Sequence, residues 1–210
     1  MIRKIVLLTF VVFISKVLFA QNRDSTKATT LSVNLPGIID LFDANITFGA
    51  DFKIGRLISA GIDAGYIFAS IYTSNVQSTS GILLRPYIRF YFDKREELFF
   101  QAQLHYKSVT YIKERWVNRD VVNGVPSFSQ LGTVGYYKKA YGLHCLIGIR
   151  KQLSSSNEHL LLESTFGLGY RYKKQDSDDG SFSTTGFVFG SRNKTATPVL
   201  LMNLKLCYIL

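Results

Sequence analysis

The 210 residues make one domain by length. Twelve Tyr, sixteen Phe and sixteen Gly favour strands and turns over helices. The formal net charge is +10, but three of those charges (Arg3, Lys4 and Lys16) sit in a leader-like N-terminus. The +7 left on residues 21–210 is spread along the chain, which argues against a nucleic-acid patch and is compatible with acidic lipid headgroups as neighbours.

Residues 1–20 read as a secretory signal peptide. Arg3 and Lys4 form a positive end, Ile5 to Ile14 a short apolar core, and Ala20 before Gln21 a cleavage point. Leu18 and Lys16 depart from the usual pattern. No later segment approaches about 18 consecutive apolar residues, so no later transmembrane helix is expected. Residues 21–210 would form one domain, and if it enters a membrane it must do so as a closed barrel, because lipid offers backbone groups no water to bond.

From about residue 28 the chain alternates with period two, the signature of strands with two unlike faces. The first strand, about 29–36, sets Leu31, Val33 and Leu35 against Ser32 and Asn34. The second, about 44–53, sets Ile46, Phe48, Ala50 and Phe52 against Thr47, Gly49, Asp51 and Lys53. The third, about 58–71, sets Ile58, Ala60, Ile62, Ala64, Tyr66 and Phe68 against Ser59, Gly61, Asp63 and Gly65. The fourth, about 81–92, sets Ile82, Leu84, Ile88, Phe90 and Phe92 against Arg85, Tyr87, Arg89 and Tyr91. Pro86 interrupts it without changing the phase, although proline cannot donate a ladder bond. The fifth, about 98–115, sets Leu98, Phe100, Ala102, Leu104 and Tyr106 against Gln101, Gln103, His105 and Lys107. The sixth, about 135–150, sets Tyr141, Leu143, Cys145, Ile147 and Ile149 against Gly142, His144, Gly148 and Arg150. The seventh, about 160–172, sets Leu160, Leu162, Phe166, Leu168 and Tyr170 against Glu163, Thr165, Gly167, Gly169 and Arg171. The eighth, about 197–210, sets Leu200, Met202, Leu204, Leu206, Tyr208 and Leu210 against Asn203 and Lys205.

Connections after the second, fourth and sixth strands are short (54–57, 93–97 and 151–159). Those after the fifth and seventh, 116–134 and 173–196, read as long loops, and those after the first and third (37–43 and 72–80) as intermediate. Short turns at one end and longer loops at the other are the pattern of an outer-membrane barrel. The expected fold is therefore all-β: an antiparallel up-and-down transmembrane β-barrel of about eight strands, apolar face to lipid and polar face to the lumen. A soluble lipocalin-like barrel with the apolar face inward is the alternative. Aromatics at both ends of the apolar face suit a girdle at the headgroup level: Phe52, Phe92, Phe100 and Tyr208 at the turn end, and Phe68, Tyr106, Trp116, Tyr137 and Tyr172 at the loop end.

The segment Leu84-Arg85-Pro86-Tyr87-Ile88-Arg89-Phe90-Tyr91-Phe92, the signal-like leader and the last strand running to Leu210 together resemble the small eight-stranded outer-membrane β-barrel family, in its uncharacterised members. The resemblance is architectural and covers nearly all of residues 21–210. Members usually end in an aromatic residue; here Leu210 stands at the end and Tyr208 two before it. The resemblance implies an outer-membrane location and lipid neighbours.

The expected lumen holds Asp51, Asp63 and Glu163 with Arg85, Arg89, Lys107, Arg150, Arg171 and Lys205. Such charges must pair, so a structural network is expected, with a narrow anion-preferring path as the sharper reading. Cys145 and Cys207 are expected as free thiols on opposite faces. His105 and His144 should point into the lumen, and His159, beside Glu158 and Ser154 to Ser156, makes only a weak hydrolytic constellation. Asp176, Asp178, Asp179 and Gly180 fail the EF-hand spacing. No catalytic residue, metal site or cofactor is expected. The leading expectation is a non-enzymatic structural or interaction protein of the cell envelope, monomeric, with partners reached through loops 116–134 and 173–196. A narrow pore or carrier and a lipid-modifying enzyme are the alternatives.

Overall fold

The structure is a computed structural model, and it describes residues 29–35, 43–70, 76–93, 95–122, 125–154, 157–178 and 194–210. The expected signal peptide, residues 1–20, lies outside these residues. The eight strands are β1 (Thr29–Asn34), β2 (Ala44–Lys53), β3 (Ile58–Ala69), β4 (Val76–Tyr91), β5 (Leu98–Val122), β6 (Val125–Ser154), β7 (Asn157–Ser177) and β8 (Lys194–Ile209). All neighbours are antiparallel and the order is sequential, and β1 pairs with β8 to close the ring. At the seam the Leu35 amide donates to the Leu204 carbonyl (3.0 Å), and the Leu210 amide donates to the Thr29 carbonyl (2.9 Å). Closure leaves no edge among the central segments, which removes the usual liability of an unpaired strand. No helix occurs among the described residues.

The alternation sorts as the period-two reading expects. Leu168, Leu200 and Met202 are 64%, 68% and 73% exposed on the outer wall, whereas Asp63, Arg89 and Glu163 are at most 1% exposed within. The apolar-inward arrangement of the soluble alternative is therefore not the one adopted. Within a narrow ring, bulky inward rings need room, and glycines on neighbouring strands supply it. A Cβ on Gly148 would collide with the Phe99 ring, one on Gly61 with the Tyr87 ring, and one on Gly169 with the His144 ring. Each pair sits on adjacent strands in register or one step from it.

Pro86 keeps its place in β4. Its partner on β3 is Ile62, and the ladder to β5 skips Arg85 and Pro86 before resuming in the same register, from Leu84↔Tyr106 to Tyr87↔Gln103. The missing N–H thus falls on the β5 side, where the gap absorbs it without a slip.

Several expected boundaries move outward. The fourth strand begins at Val76, not near 81, and the turn between β6 and β7 shrinks to residues 155–156. The largest correction concerns the expected loop 116–134. It is a β-hairpin: β5 continues to Val122, β6 starts at Val125, and the two stay paired from Lys113↔Val134 to Val122↔Val125. β4 leaves β5 at Lys113 and β7 leaves β6 at Tyr136, so the hairpin continues beyond its neighbours as a two-stranded ribbon. The signal was present in the apolar register pairs Trp116↔Leu131 and Val122↔Val125, but interleaved Arg, Asn and Asp gave the segment no clean apolar face. The other long loop, expected at 173–196, shortens at both ends because β7 runs to Ser177 and β8 starts at Lys194.

The Gly148–Phe99 fit gives a testable expectation. Gly148→Val should destabilise the ring by about 1–3 kcal/mol through overpacking, seen as a lower midpoint of thermal or urea unfolding. Combining it with Phe99→Ala should recover part of the loss; a double variant worse than the sum of the singles would rule out the steric cause.

Candidate functional site

The chemistry-bearing side chains converge in the lumen, because inward positions alternate along every strand. Three tiers stack along it.

The tier nearer the short turns is ionic and neutral overall. Arg89 of β4 is fully buried. Its Nη1 donates to Asp51 Oδ2 on β2 (2.8 Å) and its Nη2 to Glu163 Oε1 on β7 (2.9 Å). Nε and Nη2 also donate to Gln101 Oε1 on β5 (3.2 and 2.8 Å). Arg150 of β6 donates from Nη2 to the same two carboxylates, at 3.2 Å to Asp51 and 3.1 Å to Glu163. Lys205 of β8 binds both oxygens of Asp63 on β3 (2.8 and 2.7 Å). Three cations thus meet three carboxylates. The Arg89 guanidinium lies 4.1 Å from the Phe99 ring centroid, and both Arg89 and Lys205 stand 5.0 Å from that of Tyr87. Below this tier Lys53 pairs with Glu96 of the β4–β5 turn, where Glu96 takes a φ of 60°.

The middle tier holds two histidines with ring centroids 4.9 Å apart. Arg171 Nε donates to His144 Nε2 (3.1 Å), which makes that nitrogen an acceptor and leaves Nδ1 as the N–H facing Gln103 Oε1 at 3.4 Å. His105 is 3% exposed, and neither of its ring nitrogens has a hydrogen-bond partner. Arg85 lies opposite Asp63 in the β3–β4 register.

The loop-side tier is built on Asp43, a residue on no strand and outside the expected charge network. It pairs with Lys107, lies 3.7 Å from Lys138 Nζ and accepts a 2.8 Å hydrogen bond from the Tyr111 hydroxyl. Burial works to push its carboxyl pKa up, but Lys107 and Lys138, with the Lys107 and Tyr111 hydrogen bonds, hold it below the ordinary value of 3.8. Beyond it, Lys113 Nζ sits 5.4 Å from the Tyr136 ring centroid and Arg115 Nη1 donates to the Tyr136 hydroxyl (2.9 Å).

The nine expected lumen charges all face inward, but they do not form one network. Asp51, Arg89, Arg150 and Glu163 form a single cluster, Asp63 and Lys205 a pair beside it, Arg85 lies opposite Asp63 in the β3–β4 register, Arg171 joins the histidines, and Lys107 turns to Asp43. Asp43 and Phe99 were missed because a loop residue and an apolar inward residue carry no period-two signal. The girdle residues Phe52, Phe68, Phe92, Phe100, Tyr106, Trp116, Tyr137, Tyr172 and Tyr208 all lie on the outer face, partly or well exposed.

Both cysteines are free, Cys145 exposed on the outer wall and Cys207 buried within. His159 stacks on Tyr208 (5.8 Å) and its Nδ1 lies 3.0 Å from the Ile209 carbonyl, so it braces the end of β8. Asp176 pairs with Lys174, and the Gly135 amide donates to Asp178; Asp179 and Gly180 lie outside the described residues. Among the described residues no three His, Cys, Asp or Glu side chains are grouped to hold a metal. No family model matches this chain, and no curated protein or solved structure matches it either.

Two expectations test the tiers. Glu163→Gln leaves Arg89 and Arg150 short of a counter-charge, and breaking a buried pair costs about 3–5 kcal/mol; unchanged melting would show the cluster to be dispensable. Asp43→Asn removes a stabilisation that is present at pH 7 and fades as acid protonates the carboxylate. Because the folded-state pKa is depressed, wild type should melt higher than the variant at pH 7 and the gap should close below about pH 4. A gap independent of pH would exclude the ionic origin.

Proposed function

We propose that the chain is an outer-membrane β-barrel spanning the bilayer, with a structural or interaction role in the cell envelope and its loop-side ribbon as the contact surface. The observation that supports this most is the inverted wall: apolar side chains outside on all eight strands, and ion pairs inside. A protein in water would leave that band unpaired with any apolar phase; a bilayer supplies one. β2, β3, β4 and β8 have 10, 12, 16 and 16 residues, at or above the roughly 9–11 that a tilted strand needs to cross. Aromatics at both ends of the band fit the headgroup levels. The neutral ionic tier fills the ring across its width, which weighs against an open pore and in favour of a rigid scaffold.

The ribbon suits contact. Trp116 (68% exposed) and Leu131 (52%) are direct cross-strand partners on its outer face, with Phe128 (51%) on the other. Loops and projections on a rigid scaffold commonly carry recognition.

The protein should fractionate with outer membranes and migrate faster unheated than boiled in detergent gels. Recovery in the periplasmic fraction without that shift would overturn the proposal. Met202→Arg, at the most exposed large apolar side chain among the described residues, should disfavour refolding into phosphatidylcholine vesicles by up to about 2–4 kcal/mol; an equal refolding yield would count against lipid contact there.

A further inference from the structure

We propose that the loop-side half of the lumen is a binding site for a phosphate-class oxyanion. Inward-facing Lys107, Lys138, Arg171 and Lys173 gather there, and among the described residues Asp43 is the acid that faces them. The turn-side tier, by contrast, balances three cations with three carboxylates. The excess positive charge therefore lies above that tier, with Arg85 in the middle of the lumen and the lysines and Arg171 toward the loop side. It is also crowded: Lys138, Arg171 and Asp43 all act electrostatically on Lys173. Lys173 forms no ion pair among the described residues and is only partly exposed. Like charges held together against low-dielectric walls repel strongly and focus a field on whatever anion enters. A multivalent oxyanion relieves that repulsion and offers several acceptor oxygens to ammonium and guanidinium donors at once.

The middle tier adds a polar group in want of a partner. His105 is nearly fully buried, and both its nitrogens lack a hydrogen bond. It lies under the electrostatic influence of Arg171, Arg85 and Lys107. A neutral imidazole there can donate one N–H to an oxyanion from below. The ionic tier lies beneath it, with Arg89 and Arg150 joining β2, β4, β6 and β7 across the ring. Because these cations face the lumen and not the outer wall, a free solute is the source the geometry favours over a lipid headgroup.

The test is a calorimetric titration of the full-length protein, refolded in octyl glucoside, with inorganic pyrophosphate at an ionic strength fixed with sodium chloride. We expect saturable binding of one anion per chain. Lys138→Gln combined with Lys173→Gln should weaken it at least about tenfold, since two charge-assisted hydrogen bonds are lost. Lys151→Gln, an exposed cation at the turn end, should leave it unchanged. If the double variant fails to refold, Lys173→Gln alone takes its place, with a weakening of about threefold or more expected for one contact. A parallel arm replaces pyrophosphate with phosphatidylglycerol mixed into the micelles, and binding of the lipid alone would overturn a free solute as the source. Absence of saturable binding, or binding equally tight in the lysine variants, would overturn the site itself. The titration can be run in plain buffer if the protein proves soluble, so its outcome is separate from that of the membrane proposal.

Discussion

The Arg89 guanidinium is the contact on which the rest of the interior depends. It comes from β4, reaches Asp51 on β2, Gln101 on β5 and Glu163 on β7, and has no exposure to solvent. A planar group with five donors suits this role, because it can satisfy partners on several sides at once. Arg150 closes the cluster by touching the same two carboxylates from β6. Each charge is buried at considerable cost, and each is acceptable only because the others are in place. The ring is consequently tied across its diameter as well as around its circumference.

That arrangement explains the distribution of small and large residues. A narrow ring holding two guanidiniums, an ammonium and three carboxylates has little space left for aromatics. Phe99 and Tyr87 fit because Gly148 and Gly61 give way on the next strand, and both rings then lie against Arg89. Glycine serves here by removing a side chain, not by adopting unusual backbone angles. Interior chemistry and strand composition are thus one constraint seen from two sides.

Much of this was legible in the sequence because a strand has a period of exactly two side-chain directions. Residues such as Ile82, Leu84 and Ile88 against Arg85 and Arg89 assign their own faces, and a slip of one position would invert all of them. The inward placement of all nine lumen charges followed from that rule alone. Which charges meet did not, because partners lie 13 to 142 residues apart and the strand tilt decides their relative heights. Asp43 was hidden for a related reason: it belongs to no strand, so no alternation marks it. The ribbon was missed because its apolar residues fall on both faces, as Trp116 and Phe128 do, and because charged residues are welcome where no core has to be filled.

The seam between β1 and β8 has a consequence for how the ring opens. Seven of the eight strand pairs join neighbours in sequence and form by local hairpin closure, whereas the eighth must bring together the two ends of the described chain. Among the described residues β1 is also the shortest strand, with six residues, and the ladder it shares with β8 has five paired positions. The last junction to form, with the largest loop to close, is also the one with the fewest bonds to break. Opening therefore begins as a zipper at this junction, and backbone amides of β1 should exchange with solvent earlier than those of β6 and β7, whose shared ladder is far longer.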